Sequence, residues 1–596
     1  MNIRTSLIAF LVAIFVFGSN NLIAQNASLP REYNCHFTKS TPKIDGILNE
    51  TSWQMVSWSE NFRDIVGGTK AAPEKDTRMK MMWDDDYLYI AAYLEENHIW
   101  ANLKNKDAII YRDNDFEVFF DPDGDGLNYF ELEVNALGTI MDLFMAKPYN
   151  KGGKADLTWD FEGLKSAVKI YGSINNPDDN DVFWTVEMAI PWSAFNNQSK
   201  PQISDEWRIN FSRVEWTTEI VDGKYVKKKD AETSKPLAED NWVWSPQGVV
   251  NMHIPEKWGR VKFVREVADK KSPKFWMWMN ANTDWDLNQW KNAFERLSSA
   301  GINGLLVAAN EEVLNKVIPL AHCYDMQVHA WFWTMNRGEA KPEWLSVNAL
   351  GKSLAEEKAY VDYYKFMCPA LPEVRNYLNN KILKLSQIEG LQGIHFDYIR
   401  YVDVFLPKEL QPKYGLVQND IMPEFDYGYH PYMRALYKSK YGIDPMDLKD
   451  YAHDKSWLDF RLKVLDTTVI MLRDLIHEQG LKSTAAVFPS PDMSRRMVRQ
   501  DWDKWGLDYY FPMIYHNFYG EDINWIKKIV KQDVKAVGSN SKVFAGLYLP
   551  ALKNNDDLKQ AIKAALKGGA NGISFFGYGA LSDEMLGEIW AINKNK

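Results

Sequence analysis

Cysteine is nearly absent: the 596 residues hold three, Cys35, Cys323 and Cys368. That excludes a disulfide framework, and no CxxC pair is available for metal or redox chemistry. The histidines form no HxH or HExxH spacing, which disfavours a zinc hydrolase. No GxGxxG or P-loop run offers a phosphate cradle, so neither a metal nor a cofactor is expected. There is no basic stripe, and a formal charge of −10 argues against a nucleic-acid partner. Beyond the N-terminus no apolar run is long enough to cross a bilayer, so no transmembrane segment is expected. The chain also lacks fixed-period repeats and low-complexity tracts.

What the chain does have is aromatic side chains: 24 Trp, 29 Tyr and 29 Phe. Such rings stack on sugars, but they are also ordinary core material. With 46% hydrophobic and 25% charged residues the composition is globular, and the length predicts two domains. The first residues read as a signal peptide over 1–25: Arg4, an apolar run from Leu7 to Phe17, then Gly18-Ser19, with cleavage near Ala24-Gln25. No cysteine follows closely enough to accept a lipid. The mature protein is therefore expected outside the cytoplasm, periplasmic or secreted.

The hydrophobic period changes once along the chain. From 30 to 264 short alternating runs are bounded by Asp, Asn, Gly and Pro clusters, as in Leu88–Tyr93 and Phe116–Phe120. This predicts an all-β antiparallel sandwich. A Lys- and Asp-rich segment at 265–272 reads as a linker. From 273 to 596 eight apolar runs alternate with helical stretches, which predicts an α/β (β/α)8 TIM barrel with long loops after the third and fourth strands. The fourth run, Gly393-Ile394-His395-Phe396, closes on Asp397, Tyr398, Ile399 and Arg400. Catalytic groups in such barrels sit where strands end, which delivers Asp397 to the floor of a cleft with Arg400 near enough to hold it ionised. Otherwise Asp397 caps the next turn or simply pairs with Arg400.

Pro42-Lys43-Ile44-Asp45-Gly46 through Trp53 resembles the opening signature of the family 9-like carbohydrate-binding modules. Trp83–Tyr89, Asn114–Phe119, Val186–Trp192 and Ile254–Gly259 resemble the same family's later segments. The resemblance implies a β-sandwich that binds glycans. In the C-terminal half Met367–Arg375, Gly393–Arg400, Arg499–Trp502, Trp505–Tyr515 and Gly572–Phe576 resemble the glycosyl hydrolase-like 10 family of barrel enzymes. Many relatives carry a second Asp where this chain has Tyr398, a departure that bears on subsite geometry. Together the two resemblances imply an exported glycoside hydrolase acting on a polysaccharide or cell-wall glycan. The alternatives are a non-catalytic glycan-binding protein with a degenerate barrel and a sandwich that docks protein.

Glycoside hydrolysis needs two carboxyl groups, one protonated and one ionised. Asp397 is the expected nucleophile or base. Its partner is sought after strand ends: Asp501, otherwise a helix N-cap, is favoured over Glu311, otherwise a solvated loop acid, and over Asp492. Asp508 begins the sixth strand and is assigned to stability. Arg400, Tyr398, Trp333, Tyr515 and His516 are expected to bind substrate at the barrel mouth, although Trp333 could be barrel packing. In the sandwich Trp216, Trp242 and Trp244 lie in an irregular charged stretch and are expected to touch sugar. Asp121-Pro122-Asp123-Gly124-Asp125-Gly126 mimics a calcium loop, but position twelve is Leu132, which favours a polar hairpin turn.

Overall fold

A computed structural model describes residues 29–68, 70–195, 200–265 and 274–594. The expected signal peptide and all but the first residue of the expected linker lie outside these residues.

The N-terminal half is a sheet of 13 strands curled on itself. Its main path runs from Ala155–Asp156 through Ile140–Met145, Tyr129–Asn135, Asp115–Asp121, Glu206–Glu215, Gly259–Val264, Glu32–Phe37, Thr77–Trp83, Tyr87–Glu95 and Phe183–Pro191 to Lys165–Tyr171. This differs from the purely antiparallel expectation. Glu32–Phe37 pairs in parallel with both of its neighbours, and the two faces of the sandwich are one continuous sheet. Cumulative strand twist curls so wide a sheet until its inner face closes on itself. That inner face holds Trp184, Phe116, Val118, Phe120, Ile90 and Trp207. Alternation places Asp115, Glu117, Phe119 and Asp121 on the opposite face of their strand, yet these too are buried.

The C-terminal half closes as a barrel of eight parallel strands: Phe275–Met279, Ile302–Ala308, Gln327–Trp333, Gly393–Asp397, Lys482–Val487, Tyr509–Pro512, Lys542–Tyr548 and Gly572–Phe576. The eighth pairs with the first. The long connections fall after the third and fourth strands, at 334–371 and 398–430. Aromatics fill the interior, among them Trp276, His329, Tyr509, Phe511 and Phe544. Two glycines make room for them. A Cβ on Gly304 would fall 2.2 Å from the Trp276 ring, and one on Gly393 would fall 2.8 Å from the His329 ring.

The sheet domain sits against the side of the barrel where strands begin. Arg78 lies 5.0–5.5 Å from the rings of Trp58, Tyr93 and Tyr324. Lys80 pairs with Asp325 at 3.1 Å and Lys291 with Glu95 at 2.7 Å. Tyr93 and Phe183 share a core with Trp290, Phe294 and Leu314 of the barrel helices. Residues 322–325 lead into the start of the third strand, so the strand ends that carry Asp397 lie on the opposite side.

One buried ion cluster ties down the loop 398–430. Asp426 accepts from Arg461 at 2.7 Å, from Arg499 at 2.6 Å and from the Tyr429 hydroxyl at 2.7 Å. Burial opposes its ionisation, but the two guanidiniums outweigh burial and hold the carboxyl below its ordinary value. Asp426→Asn leaves two buried cations uncompensated and should cost ~3–5 kcal/mol at neutral pH. Because the folded carboxyl is the stronger acid, that difference should shrink as the pH falls below ~4. Denaturant melts of parent and variant at both pH values check this, and equal neutral stability would remove the clamp.

Candidate active site

Asp397 ends the fourth barrel strand at the rim of the mouth. Its Oδ2 accepts from the Trp331 indole at 2.9 Å and its Oδ1 from the Tyr398 backbone N–H at 2.7 Å. Tyr398 has φ 48°, a left-handed conformation that strains a non-glycine residue by ~1–3 kcal/mol. The strained turn aims the Tyr398 N–H back at the carboxyl. Burial pushes Asp397 above its ordinary range, and Trp331, Tyr398 and Arg400 pull it back without cancelling the effect.

This corrects the expected partnership with Arg400. The Arg400 guanidinium pairs with Asp403 at 3.1 Å, donates to the Tyr401 carbonyl and reaches the Tyr364 hydroxyl. The turn carries the chain away from Asp397, and an acid three residues on satisfies the arginine instead. Arg400 thus braces the loop and makes no direct bond to Asp397.

Beside Asp397 lies a cleft of about 260 Å³ lined by Trp331, Trp333, Asn310, Asn336 and Glu339. Trp333 is 38% and Tyr363 52% exposed, with ring centroids 6.1 Å apart, and Tyr398 lies 4.9 Å from Trp333. Exposed rings of this kind form a platform for the apolar face of a sugar. Tyr515 is buried, stacked on Phe576 at 5.9 Å, and near enough to Asp397 for that charge to raise its hydroxyl beyond the effect of burial. His516 starts the turn His516–Tyr519 and feels Asp557 and Asp522 of the outer layer.

The expected second acids stand elsewhere. Asp501 is buried in an ion cluster with Arg495 and Lys504, caps no helix, and has both oxygens taken. Glu311 begins an outer helix and pairs with Lys384 at 2.7 Å. Glu339, which sequence reasoning missed, lines the cleft. Arg337 and the Tyr377 hydroxyl, the latter at 2.6 Å, outweigh burial and hold its carboxyl down at about 2. Its signal was present, because Asn336-Arg337-Gly338-Glu339 follows a strand end. Asp397 and Glu339 therefore differ in proton affinity in opposite directions.

In the sheet domain Trp244 is fully buried, with its ring where a Cβ on Gly259 would stand. It has no face to offer a sugar, contrary to expectation. Trp242 is buried beneath Arg213. Trp216 and Trp242 do meet along a pocket of about 450 Å³ shared with Glu96, His98 and Glu215, where Lys227 lies 3.2 Å from the Trp216 ring. In the segment that mimics a calcium loop, Asp121 accepts from Gly124 and Gly126 N–H groups, which closes a hairpin turn.

Asp397 binds its proton more tightly folded than unfolded, so ionisation works against folding above the ordinary carboxyl range. The melting temperature of Asp397→Asn minus that of the parent should grow more positive as the pH rises from about 4 to 8. Thermal melts across that range check it, and a difference that moves the other way would mean a stabilised anion.

Comparison with known proteins places the N-terminal half. Residues 44–264 match the family model "Carbohydrate family 9 binding domain-like". Endo-1,4-beta-xylanase A of Thermoanaerobacterium saccharolyticum is 28% identical over 170 residues, covering 28% of this chain and 12% of that protein. Exoglucanase XynX of Acetivibrio thermocellus is 26% identical over 170 residues, covering 28% and 13%. The chain thus spans about an eighth of the length of these curated relatives. Among solved structures, a family 9 carbohydrate-binding module from Caldicellulosiruptor kristjanssonii in complex with cellotriose is 18% identical, covers 41% of this chain and 98% of that one, and has a TM-score of 0.27. The catalytic domain of beta-amylase from Paenibacillus polymyxa is 10% identical, covers 55% and 99%, and has a TM-score of 0.39. No described helix is long and apolar enough to cross a membrane. The family match thus spans the sheet domain over residues 44–264.

Proposed function

We propose that this protein is an exported glycoside hydrolase whose sheet domain holds a glycan while the barrel cleaves it. One observation carries the catalytic half of this reading. A carboxyl with raised proton affinity, Asp397, stands at a strand end next to an exposed Trp333–Tyr363 platform. The family match of residues 44–264 supports the binding half. The apolar N-terminal segment supports export.

In the mechanism Asp397 is the acid. Burial raises its proton affinity, and it gives its proton to the leaving glycosidic oxygen while the Trp331 indole and the Tyr398 N–H stabilise the carboxylate left behind. Glu339 is the ionised partner, serving the opposite side of the bond as base or nucleophile. Two carboxyls pushed apart in proton affinity are what acid and base roles require. Trp333 and Tyr363 stack the sugar and fix its orientation.

The test is reducing-end release from a panel of polysaccharides, peptidoglycan strands included. The parent should be active, Asp397→Asn and Glu339→Gln should each lose about a hundredfold or more, and Trp333→Ala should mainly raise KM. A parent silent on every glycan that it nonetheless binds would leave a binding protein with a catalytically inert barrel. Full activity in Glu339→Gln would move the second carboxyl elsewhere.

A further inference from the structure

The outer face of the sheet domain holds acids without a counter-charge. Glu117 lies directly across from Glu133, and Phe119 from Glu131, on neighbouring antiparallel strands. Carboxyl oxygens of Asp115, Glu117 and Glu133 fall within 4.8 Å of one another, and all three residues are buried. Like charges directly opposed on a strand pair destabilise a sheet. Burial, followed by mutual repulsion, pushes these three carboxyls above their ordinary range, and burial does the same to Glu131. The neighbouring pocket sets cations against its acids: Arg213 and Lys75 pair with Glu96 and Glu215 and hold the Glu215 carboxyl well below its ordinary range.

Among the described residues no Lys or Arg lines the pocket of about 420 Å³ over which Glu117, Glu131, Glu133 and Glu239 are spread. Two buried oxygens, Asp115 Oδ2 and Glu131 Oε2, have no hydrogen-bond donor. His253 stands 3.8 Å from Glu131, but burial lowers its pKa to about 4, so it brings no charge at neutral pH. Apart from the amides of Asn241 and Asn251, the rest of the wall is aromatic and aliphatic. Tyr111 is 42%, Tyr149 49% and Val250 65% exposed around the opening.

We propose that this pocket binds an amino sugar of a glycan through its protonated free amine, the carboxylates receiving the ammonium and the tyrosines covering the ring. The proposal rests on the reading of the sheet domain as a glycan holder and names the glycan's chemistry. A bare divalent cation fits less well. Calcium takes six to eight oxygens, whereas most of this wall is carbon and the space is far larger than an ion. A cationic ring uses both the acids and the aromatic faces.

Isothermal titration of the full chain with the β-1,4-glucosamine tetramer, its N-acetylated counterpart, cellotetraose and calcium chloride tests this. The free-amine tetramer should bind at least about tenfold tighter than either neutral tetramer. Glu131→Gln should erase that preference, and Glu239→Gln, outside the buried cluster, should weaken it severalfold. If Glu131→Gln does not fold, judged by circular dichroism, Glu239→Gln decides. Neutral tetramers bound as tightly as the amine, or an amine preference unchanged in both variants, would overturn the proposal and leave the glycan reading standing. Calcium binding that needs Glu131, with no amine preference, would assign the acids to a metal. Silence toward every oligosaccharide would overturn the proposal and the glycan reading together.

Discussion

The geometry of the barrel mouth depends on Asp426 and the two guanidiniums it neutralises. The loop 398–430 is long enough to collapse into the mouth or to wander away from it. Asp426 pins the loop's far end to Arg461 of the helix Lys455–Glu478 and to Arg499 after the helix Pro491–Val498. The near end is held by Arg400 on Asp403, with Tyr364 reaching across from the preceding long loop. Between these anchors the strained turn at Tyr398 can persist, because the surroundings over-determine it. Without them the turn would relax, and Asp397 would lose one of its two donors.

The molecule treats buried charge in two ways. Asp426 and Glu215 have cations supplied from within the chain that outweigh burial and hold them ionised. Asp397 and the Glu117–Glu133 cluster are buried with too little compensation. Asp397 is bonded to Trp331, which lines a solvent-reachable cleft, and Glu117 and Glu133 line another, where an incoming molecule can make good the deficit. Structural charges and candidate functional charges differ less in depth than in whether their partner belongs to the chain.

Much of the architecture was legible from hydrophobic period. The fourth apolar run, Gly393–Phe396, forms a barrel strand that runs one residue further, to Asp397. A buried parallel strand has few options but an apolar run. Asp397 was legible because it terminates such a run. Its partner was not, since Arg400 is three residues away in sequence but the left-handed turn redirects it to Asp403. Trp244 and Asp501 misled for a related reason. Both sit in irregular, polar stretches, and only tertiary packing reveals that Gly259 and Arg495 enclose them. Curling of the sheet likewise leaves no local trace, because twist accumulates over strands far apart in the chain.

The way the two halves meet changes what the appended module can do. A binding domain on a slack tether raises local substrate concentration over a wide volume. Arg78 among three rings and a core shared through Tyr93 and Phe183 make this mount stiff. Under the proposed function, a glycan gripped at one end by the sheet domain would be presented to the barrel at a set distance. The pair would then work as a ruler, rewarding strands long enough to bridge both grips and giving shorter ones no advantage from the second domain.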